Sequence, residues 1–307
     1  MDYRIEKLSA ENIRDLIPLY KLVFHETVSH EFLLKKYDTR AIGPDFIGFI
    51  AYTPNGMAAA YYGVIACFFQ LNGKKVIAAQ SADTMTHPDH RKKGLFQNLA
   101  LKTYALARDQ GIKFVFGFPN QDSFPGFMKL NWQFQPDMLQ VFTINAANFS
   151  YSRFLYRIPG LYSLYNNILK GFFGIERPDS TFFIEKISDG MIHDDTFCLY
   201  KKYNTTHIIT IDKVKAWVKI DGKLKVGAVQ GLNENNAPRF IKRLTTIASR
   251  LGCGEVIFMT SKYSSLYEIL KKTLIPKDAF PIGFLPLQSE KVSMTGASFE
   301  YCDADFF

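Results

Sequence analysis

The amino-acid sequence predicts an α/β chain with a mixed sheet and an element order that is repeated in its two halves. In the first half, an apolar strand over 76–85 runs into a basic, glycine-bearing turn and then into a helix. In the second half, a strand is expected over 182–187, and a hairpin, a helix, a strand, a helix and two closing strands over 280–286 and 298–302 later follow in the order of the first half. The 307 residues exceed the usual size of one domain, so we expect two domains.

The predicted elements of the first half follow from hydrophobic patterning. Apolar residues from Leu95 onward recur loosely on one helical face, which predicts a helix of about four turns. Residues 113–118 form an apolar run that predicts a buried strand.

The turn between the strand and the helix has the composition of an anion-binding site. The first turn of a helix leaves about four backbone N–H groups unpaired, and the helix dipole is positive there. An anion at that end is therefore stabilised, and Arg91, Lys92 and Lys93 add full positive charges. Gly94 lacks the Cβ that would keep a phosphate away from the backbone.

Residues 87–96 resemble the pyrophosphate-binding signature of the GNAT superfamily of N-acetyltransferases. In that family the signature is Arg or Gln, two residues, Gly, one residue, then Gly or Ala, after a strand. Arg91 and Gly94 match the first two fixed positions, whereas Phe96 stands where a small residue is usual. Phe96 either narrows the approach to the phosphates or turns inward against the sheet, and we expect it to pack inward.

A second match to the family lies at the expected spacing downstream. In the family, the strand that corresponds to 113–118 splays from its neighbour, the pantetheine arm enters the gap, and an Asn at the strand end often meets the cofactor. Asn120 fits that position. Residues 124–132 resemble the short helix and turn that follow, but Phe127 stands where many members carry the Tyr that protonates the leaving thiolate. The resemblance covers about 3–145 and implies early strands over 5–10 and 46–69.

The resemblance implies the GNAT acyl-CoA N-acyltransferase fold, duplicated in tandem, and acetyl-CoA as cofactor. It implies transfer of the acetyl group directly to a primary amine of a small molecule or sugar. Main-chain N–H groups near Met85 and Thr86 are expected to stabilise the oxyanion, as in the family. The expected cofactor-binding residues are Met85, Thr86, Arg91, Lys92, Lys93, Gly94, Leu95, Phe96 and Asn120.

The general base is less well defined by the sequence. Relatives often carry a Glu near the position of Gln80, which cannot act as a base. Asp83 lies three residues on, and strand alternation points it to the opposite face unless a bulge intervenes. It is a candidate catalytic residue or an acid held by Lys or turn amides. His87 and His90 are expected to contact cofactor or solvent.

The second catalytic candidate is Phe307. The aromatic end of the sequence could bury itself and carry a terminal carboxylate toward the cleft. The alternative is a frayed or packed tail without a catalytic role.

Net charge and cysteine content limit the classes of function that the protein can have. The net charge of +8 fits a polyanionic partner, an acidic cofactor or a merely basic surface. Because the basic residues are scattered, we expect no nucleic-acid partner. The four cysteines show no metal-binding or disulfide spacing, so we expect no metal and a cytoplasmic location. No apolar run is long enough to predict a membrane span, and oligomeric state stays open.

Three segments organise the chain: an acetyltransferase domain over 1–147, an aromatic helical connector over 148–180 and a degenerate acetyltransferase-like domain over 181–307. The connector is expected to pack its aromatic residues as anchors, with a peripheral membrane helix as the alternative. Residues 231–238 carry acids and amides where the first half carries bases. The second domain is therefore not expected to bind coenzyme A.

Two alternatives to acetyl transfer remain open at the level of sequence. The substitution at Phe127 allows a protein that binds acyl-CoA without transferring its acyl group. A similar two-domain fold occurs in transferases that use aminoacyl-tRNA, although members of that group commonly lose the pyrophosphate turn. The acceptor substrate does not follow from the sequence.

Overall fold

The computed structural model describes residues 2–148, 150–172, 176, 189–288 and 292–307. The chain forms two compact units. Unit 1 comprises Met1–Pro136, Leu199–Tyr203 and Pro281–Thr295, and unit 2 comprises Asp137–Cys198, Asn204–Phe280 and Gly296–Phe307. The strand expected over 182–187 lies outside the described residues.

Helices and strands occur in both halves of the described chain. In the first half they are β1 (Arg4–Lys7), α1 (Leu16–Phe24), α2 (His30–Tyr37), β2 (Ile47–Tyr52), β3 (Ala58–Leu71), β4 (Lys74–Thr86), α3 (Leu95–Asp109), β5 (Phe114–Gly117), α4 (Phe124–Lys129) and β6 (Gln133–Asn145). In the second half they are α5 (Tyr151–Tyr156), α6 (Pro159–Phe172), β7 (Gly190–Met191), α7 (Asp195–Tyr200), β8 (Thr206–Ile211), β9 (Val214–Ile220), β10 (Leu224–Gln230), α8 (Ala237–Arg250), β11 (Glu255–Thr260), α9 (Ser265–Leu270) and β12 (Lys277–Pro286).

The sheet of unit 1 has the strand order β1-β2-β3-β4-β5-β12. Neighbouring strands are antiparallel except β4 and β5, which are parallel. Strand β3 is buried on both faces, which explains its unbroken apolar sequence. Tyr62 and Val64 contribute to the core with α3, whereas Tyr61 and Ile65 contribute to the core with α1 and α2.

The sheet of unit 2 has the strand order β6-β11-β10-β9-β8. Here β10 and β11 are parallel and the other pairs are antiparallel. Helix α8 buries Phe240, Leu244 and Ala248 at a spacing of four residues, so one helical face covers the sheet. The order β9-β10-α8-β11 repeats the order β3-β4-α3-β5 with the same strand directions, and a tandem duplication remains a prediction.

The expected strand over 298–302 is wrong. Only single bridges form there, at Ser298 and Glu300. The Asp303 carboxylate accepts a hydrogen bond from the Glu300 N–H (2.7 Å) and starts a short 3-10 helix over Tyr301–Asp303. This capping interaction ends the extended backbone before a ladder can form.

The aromatic connector is only partly packed, contrary to expectation. Tyr165 packs against the core of unit 2 and against Tyr151. Phe154 and Tyr156 remain exposed, so the prediction of packed anchors is wrong for these two residues. Phe149 and Phe173 lie outside the described residues. No helix in the described part of the chain combines the length and apolar character needed to cross a bilayer.

Phe307 is completely buried in unit 2. Its ring meets the Trp217 ring edge-on at a centroid distance of 5.6 Å. Gly227 lies beneath the ring, and a Cβ at that position would come within 2.2 Å of it. Asn204 Nδ2 donates to the Phe307 carbonyl oxygen at 2.6 Å. Residue 307 is therefore a core residue of unit 2.

Gly227→Ala is expected to destabilise the protein by about 1–3 kcal/mol, because a buried aromatic ring occupies the space of the new methyl group. The free energy of unfolding in urea measures the effect. Gly160→Ala is the matched control, since nothing lies within 4 Å of its Cβ position. Equal stability of the two variants would show that Phe307 does not fill this space.

Candidate active site

The turn from β4 into α3 presents backbone N–H groups and positive charge together. Gly94 precedes α3 with φ +75°, a left-handed conformation that favours glycine. The first intrahelical bond runs from Asn98 N to Gly94 O at 3.1 Å, so the N–H groups of residues 95–97 precede it. Nothing lies within 4 Å of a Cβ built on Gly94, so the space beside these N–H groups is open.

The basic side chains of this turn are exposed. Lys93 Nζ donates to the Asp89 carbonyl oxygen at 2.9 Å, which ties the turn to itself. Neither Arg91 nor Lys92 forms an ion pair with any other described residue. One guanidinium group and one ammonium group thus remain available beside the start of α3, where the helix dipole also favours an anion.

Phe96 packs inward, as expected. Its ring meets the rings of Tyr62 and Phe127 edge-on at 5.6 and 5.4 Å. A Cβ on Gly126 would lie 2.7 Å from the Phe96 ring, so glycine at 126 lets α4 approach α3 closely. The bulky residue in the signature therefore fills the core beneath the turn.

The pairing of β4 with β5 ends next to the turn. Their register ends at the pair Gln80↔Phe116, and the following residues, Ser81 and Gly117, have no partner across these two strands. A Cβ on Gly117 would lie 3.4 Å from the Ser81 Cβ, an ordinary van der Waals contact, so the two chains are still close at this point. Strand β5 ends at Gly117 whereas β4 continues to Thr86, and we call the side of β4 that has no β5 partner beyond Gln80 the gap.

A hydroxyl network lies beneath this gap. Ser81 Oγ donates to Tyr62 Oη at 3.1 Å, Tyr62 Oη lies 2.8 Å from Tyr104 Oη, and Trp132 Nε1 donates to Tyr104 Oη at 3.0 Å. Burial raises the pKa of Tyr62 well above its ordinary value, and Tyr104 adds to the shift. The phenols therefore stay protonated and fix the orientation of the Ser81 hydroxyl.

A β-bulge interrupts β4 just before the turn. Tyr61 pairs with Met85 and Gly63 pairs with Ala82, so Asp83 and Thr84 together oppose the single residue Tyr62. Asp83 has φ +47°, an uncommon conformation for a residue with a Cβ. The bulge places Asp83 on the face of α1 and α2.

The Asp83 carboxylate is held by four hydrogen bonds. Oδ1 accepts from Tyr20 Oη at 3.0 Å and Lys36 Nζ at 2.8 Å. Oδ2 accepts from Tyr37 Oη at 2.8 Å and lies 2.7 Å from Lys36 Nζ. The Lys36 side chain is only 2% exposed and the Asp83 side chain 7%. Burial, followed by the Asp83 charge, raises the pKa of Tyr37, so its hydroxyl donates to the carboxylate.

The remaining predicted cofactor residues lie in three settings. The side chains of Met85 and Leu95 are buried, so only their backbone can face a ligand. Thr86 pairs with Ala60 at the end of β4. Asn120 is exposed, and its Oδ1 accepts from the N–H groups of Asp122 and Ser123 at 3.1 and 2.9 Å, which shapes the turn into α4.

His90 is a buried part of the turn and Phe127 a buried part of the core. The Tyr3 hydroxyl lies 2.7 Å from His90 Nδ1. Desolvation lowers the pKa of His90, and the charges of Lys93 and His87 add to this shift. Phe127 packs against Trp132 at 4.3 Å. Neither residue is an exposed acid or base.

The turn before α8 has the opposite character. Asn233 Oδ1 accepts from Asn235 N and Asn236 N at 3.0 and 3.1 Å, and Asn236 Oδ1 accepts from Asn233 N at 2.8 Å. Glu234 forms an ion pair with Lys272 at 2.5 Å. At the start of α8 itself, the Ala237 N–H donates to the Asn233 carbonyl oxygen at 3.0 Å and Pro238 has no N–H, so fewer backbone donors are available to an anion than at the start of α3.

A buried cluster in unit 2 contains His193, Cys302 and Asp303, whose ligand atoms lie within 4.8 Å of one another. His193 Nε2 and Asp303 Oδ1 are 2.5 Å apart, which is a direct hydrogen-bond distance. This contact leaves no space for an ion between the two atoms, so we interpret the cluster as a structural hydrogen-bonded pair.

The structure adds site residues that sequence reasoning missed. Lys36, Tyr20 and Tyr37 come from α1 and α2, more than 45 residues before Asp83 in each case. Ser81 was not considered either. Ser81 carries a sequence signal, because it stands one residue after Gln80 in a strand that enters the turn, whereas the helical partners of Asp83 carry none.

Comparison with known family models identifies the domain that contains the turn. Residues 4–134 match the family model described as acetyltransferase (GNAT) domain. The chain carries a GNAT acetyltransferase domain. The matched segment contains the turn, the bulge and the end of the β4–β5 pairing, and the match confirms the expected fold and an acyltransferase activity for this domain. No curated protein matches the sequence at a significant level.

Solved structures share the fold of this chain at low sequence identity. A GCN5-related N-acetyltransferase from Kribbella flavida is 12% identical with a TM-score of 0.56, and the match covers 92% of this chain and 70% of that one. One from Anabaena variabilis is 14% identical with a TM-score of 0.57, covering 94% and 73%. A conserved protein of unknown function from Enterococcus faecalis is 11% identical with a TM-score of 0.57, covering 94% and 73%. These likenesses show the fold alone.

Arg91→Glu is expected to weaken coenzyme A binding about 10- to 100-fold, because a charge-assisted contact to phosphate is lost and a like charge is introduced. Isothermal titration calorimetry with coenzyme A measures the change. Lys102→Glu, an exposed substitution within α3, is the matched control with the same change in net charge. Equal affinity of the two variants would contradict the assignment of the turn, and unchanged melting temperatures would exclude unfolding.

His90 is expected to make stability depend on pH below about 6.5. The lowered pKa means that the unfolded chain binds the proton more readily than the folded one. The contribution of neutral His90 is therefore complete above about pH 6.5 and is lost as pH falls toward 5. Urea unfolding of the wild type and of His90→Gln should show a stability difference that shrinks over this range. A constant difference would contradict the shift, and exposed His30→Gln controls for the loss of an imidazole.

Proposed function

We propose that the protein is an N-acetyltransferase that moves the acetyl group of acetyl-CoA directly to a primary amine of a small molecule or sugar. The observation that carries this proposal is the sequence of features along β4. A gap, a bulge and a basic helix start follow one another within residues 81–95. They match, in order, the thioester arm, the reacting carbonyl and the pyrophosphate of one extended cofactor.

The cofactor is proposed to bind in an extended form along β4. Its pyrophosphate would meet the N–H groups of residues 95–97 and the charges of Arg91, Lys92 and Lys93. Its pantetheine arm would enter the gap after Gln80↔Phe116, with Ser81 and Asn120 as flanking polar groups. When bound, the cofactor supplies the activated acetyl group, and the residues described here bind and orient it.

The bulge is proposed to supply backbone donors to the carbonyl oxygen of the acetyl group. A tetrahedral oxyanion forms when an amine attacks the thioester, and preorganised N–H groups stabilise that charge. Asp83 and Thr84 interrupt the ladder between β3 and β4, and the pairing of β4 with β5 has already ended at Gln80. The position of the bulge is fixed by side chains on the opposite face.

Asp83 is proposed to hold the bulge in place, so its role in catalysis would be positioning. Both carboxylate oxygens already accept two hydrogen bonds each. A general base needs a lone pair directed at the proton of the substrate. The ion pair with Lys36 instead couples the uncommon φ of Asp83 to helix α2.

The attacking amine is proposed to lose its proton to solvent, and the thiolate that leaves when the C–S bond breaks is proposed to take a proton from solvent. Phe127, at the position of the family Tyr, is buried among Phe96, Tyr62 and Trp132 and offers no proton. A thiolate with an aqueous pKa of about 8 to 9 is a tolerable leaving group at neutral pH. Phe307 is buried against Trp217 and Gly227, which supports a packing role for its ring over a catalytic one.

Release of free thiol from acetyl-CoA, measured across a panel of primary amines, tests the proposal. We expect release that requires both acetyl-CoA and an amine, together with a raised KM for acetyl-CoA in Arg91→Glu. Binding of acetyl-CoA by calorimetry without thiol release on any amine would establish a binding protein instead. Salt-dependent binding of aminoacyl-tRNA without coenzyme A binding would overturn the cofactor assignment.

Asp83→Asn separates positioning from base catalysis in the same assay. Loss of the charge leaves Lys36 buried without its carboxylate, which should lower stability by about 3–5 kcal/mol. For a positioning residue, kcat falls while the pH dependence of kcat is unchanged. Disappearance of the acid limb of the pH profile would show that Asp83 is the base. Lys36→Met combined with Asp83→Asn removes both charges and should restore part of the stability.

A further inference from the structure

Exposed apolar side chains are concentrated in one short stretch of the chain. Of the 15 large apolar side chains that are exposed among the described residues, seven lie within 151–168. Single exposed apolar residues are normal on any protein, whereas a contiguous group marks an interaction surface. The stretch covers α5, α6 and the turn between them.

Helix α6 directs a regular apolar stripe outward. Leu161, Leu164 and Ile168 are 44%, 57% and 52% exposed, and their spacing of three and four residues places them on one face. Phe154 in α5 is 62% exposed, and Ile158 in the intervening turn is 39% exposed. The two helices thus present aromatic and branched aliphatic side chains together.

The opposite side of these helices is tied to unit 2. Ser150 Oγ donates to the Gly222 carbonyl oxygen at 2.7 Å, and Tyr151 Oη donates to the Arg250 carbonyl oxygen at 2.6 Å. Tyr165 packs against the core of unit 2. The apolar stripe is therefore held outward by a fixed scaffold, and its exposure is a property of the fold.

The charge of the stretch has one sign. Between Asp137 and Glu176 the sequence contains no acidic residue and three basic ones, Arg153, Arg157 and Lys170. Arg157 is exposed in the turn beside Ile158. Exposed aromatic and aliphatic side chains next to basic residues are the combination that binds the interface of an anionic bilayer.

We propose that this surface docks the protein onto anionic lipid membranes. The α5–α6 surface consists of Phe154, Ile158, Leu161, Leu164 and Ile168, with Arg157 beside them. The 14 residues of α6 extend about 21 Å, less than the roughly 30 Å of a hydrocarbon core, so the helix lies in the plane of the interface. This proposal goes beyond acetyl transfer and does not depend on it.

Charge distinguishes a lipid surface from a second copy of the chain. A symmetric dimer through this face would bring Arg157 of both copies to one interface without any acidic residue from the same stretch. An anionic bilayer instead supplies opposite charge to each base, at about 1 kcal/mol for each Lys or Arg near the surface. The charge pattern therefore favours lipid as the occupant.

Cosedimentation of the full chain with vesicles tests the proposal. The wild type is expected to bind vesicles that contain phosphatidylglycerol and phosphatidylcholine, to bind pure phosphatidylcholine more weakly, and to dissociate as salt is raised. Leu164→Ser combined with Ile168→Ser is expected to lower the partition constant at least about tenfold, because two apolar side chains no longer enter the interface. Arg157→Glu is expected to lower it by roughly tenfold.

Two matched variants make the comparison specific. Leu101→Ser removes a side chain of α3 that is 60% exposed and does not belong to the α5–α6 surface. Lys102→Glu changes the net charge by the same amount as Arg157→Glu does. Both should bind vesicles as the wild type does. Absence of wild-type binding to phosphatidylglycerol vesicles would overturn the proposal, as would equal losses in test and control variants. A dimer in sedimentation velocity that the double substitution dissociates would assign the surface to self-association and would also overturn it.

Discussion

The buried ion pair between Lys36 and Asp83 is the constraint on which the architecture of the candidate site depends. A carboxylate and an ammonium group that are both nearly inaccessible are stable only as partners, with their remaining hydrogen-bonding capacity satisfied. Tyr20 and Tyr37 supply that satisfaction. The pair therefore locks α2 and β4 together at the residue where the strand leaves its regular path.

Several neighbouring features hold β4 and the start of α3 in place. The bulge interrupts the ladder of β4 with β3 a few residues after the pairing of β4 with β5 has ended. Below the gap, Tyr62 links Ser81 to Tyr104 and also packs against Phe96. Phe96 in turn lies under the first turn of α3. Core packing on one face of the sheet thus fixes the start of α3, and the ion pair on the other face fixes the bulge. These are two parts of the surface along which the cofactor is proposed to bind.

The sequence predicts those features of the site that depend on residues close to one another in the chain. Arg91 and Gly94 stand at fixed spacing in one turn, and the chemistry of a helix start is local. Hydrophobic periodicity likewise predicted the strands and helices from Thr206 to Pro286. The partners of Asp83 were not readable, because they lie on two helices far away in the sequence and contact it only through the fold. The extended run at 298–302 was misread because a side-chain cap overrides its strand propensity.

The bulge also changes which residues of β4, odd-numbered or even-numbered, face each side of the sheet. Ahead of it, even-numbered residues such as Ala82 face α1 and α2, and beyond it the odd-numbered Met85 does so. An alignment without a gap against a relative whose strand is regular would therefore assign every later residue of β4 to the wrong face. Removing one residue at 83 or 84 would restore simple alternation and keep Met85 in the same core, yet it would erase the backbone feature on which acyl transfer is proposed to depend.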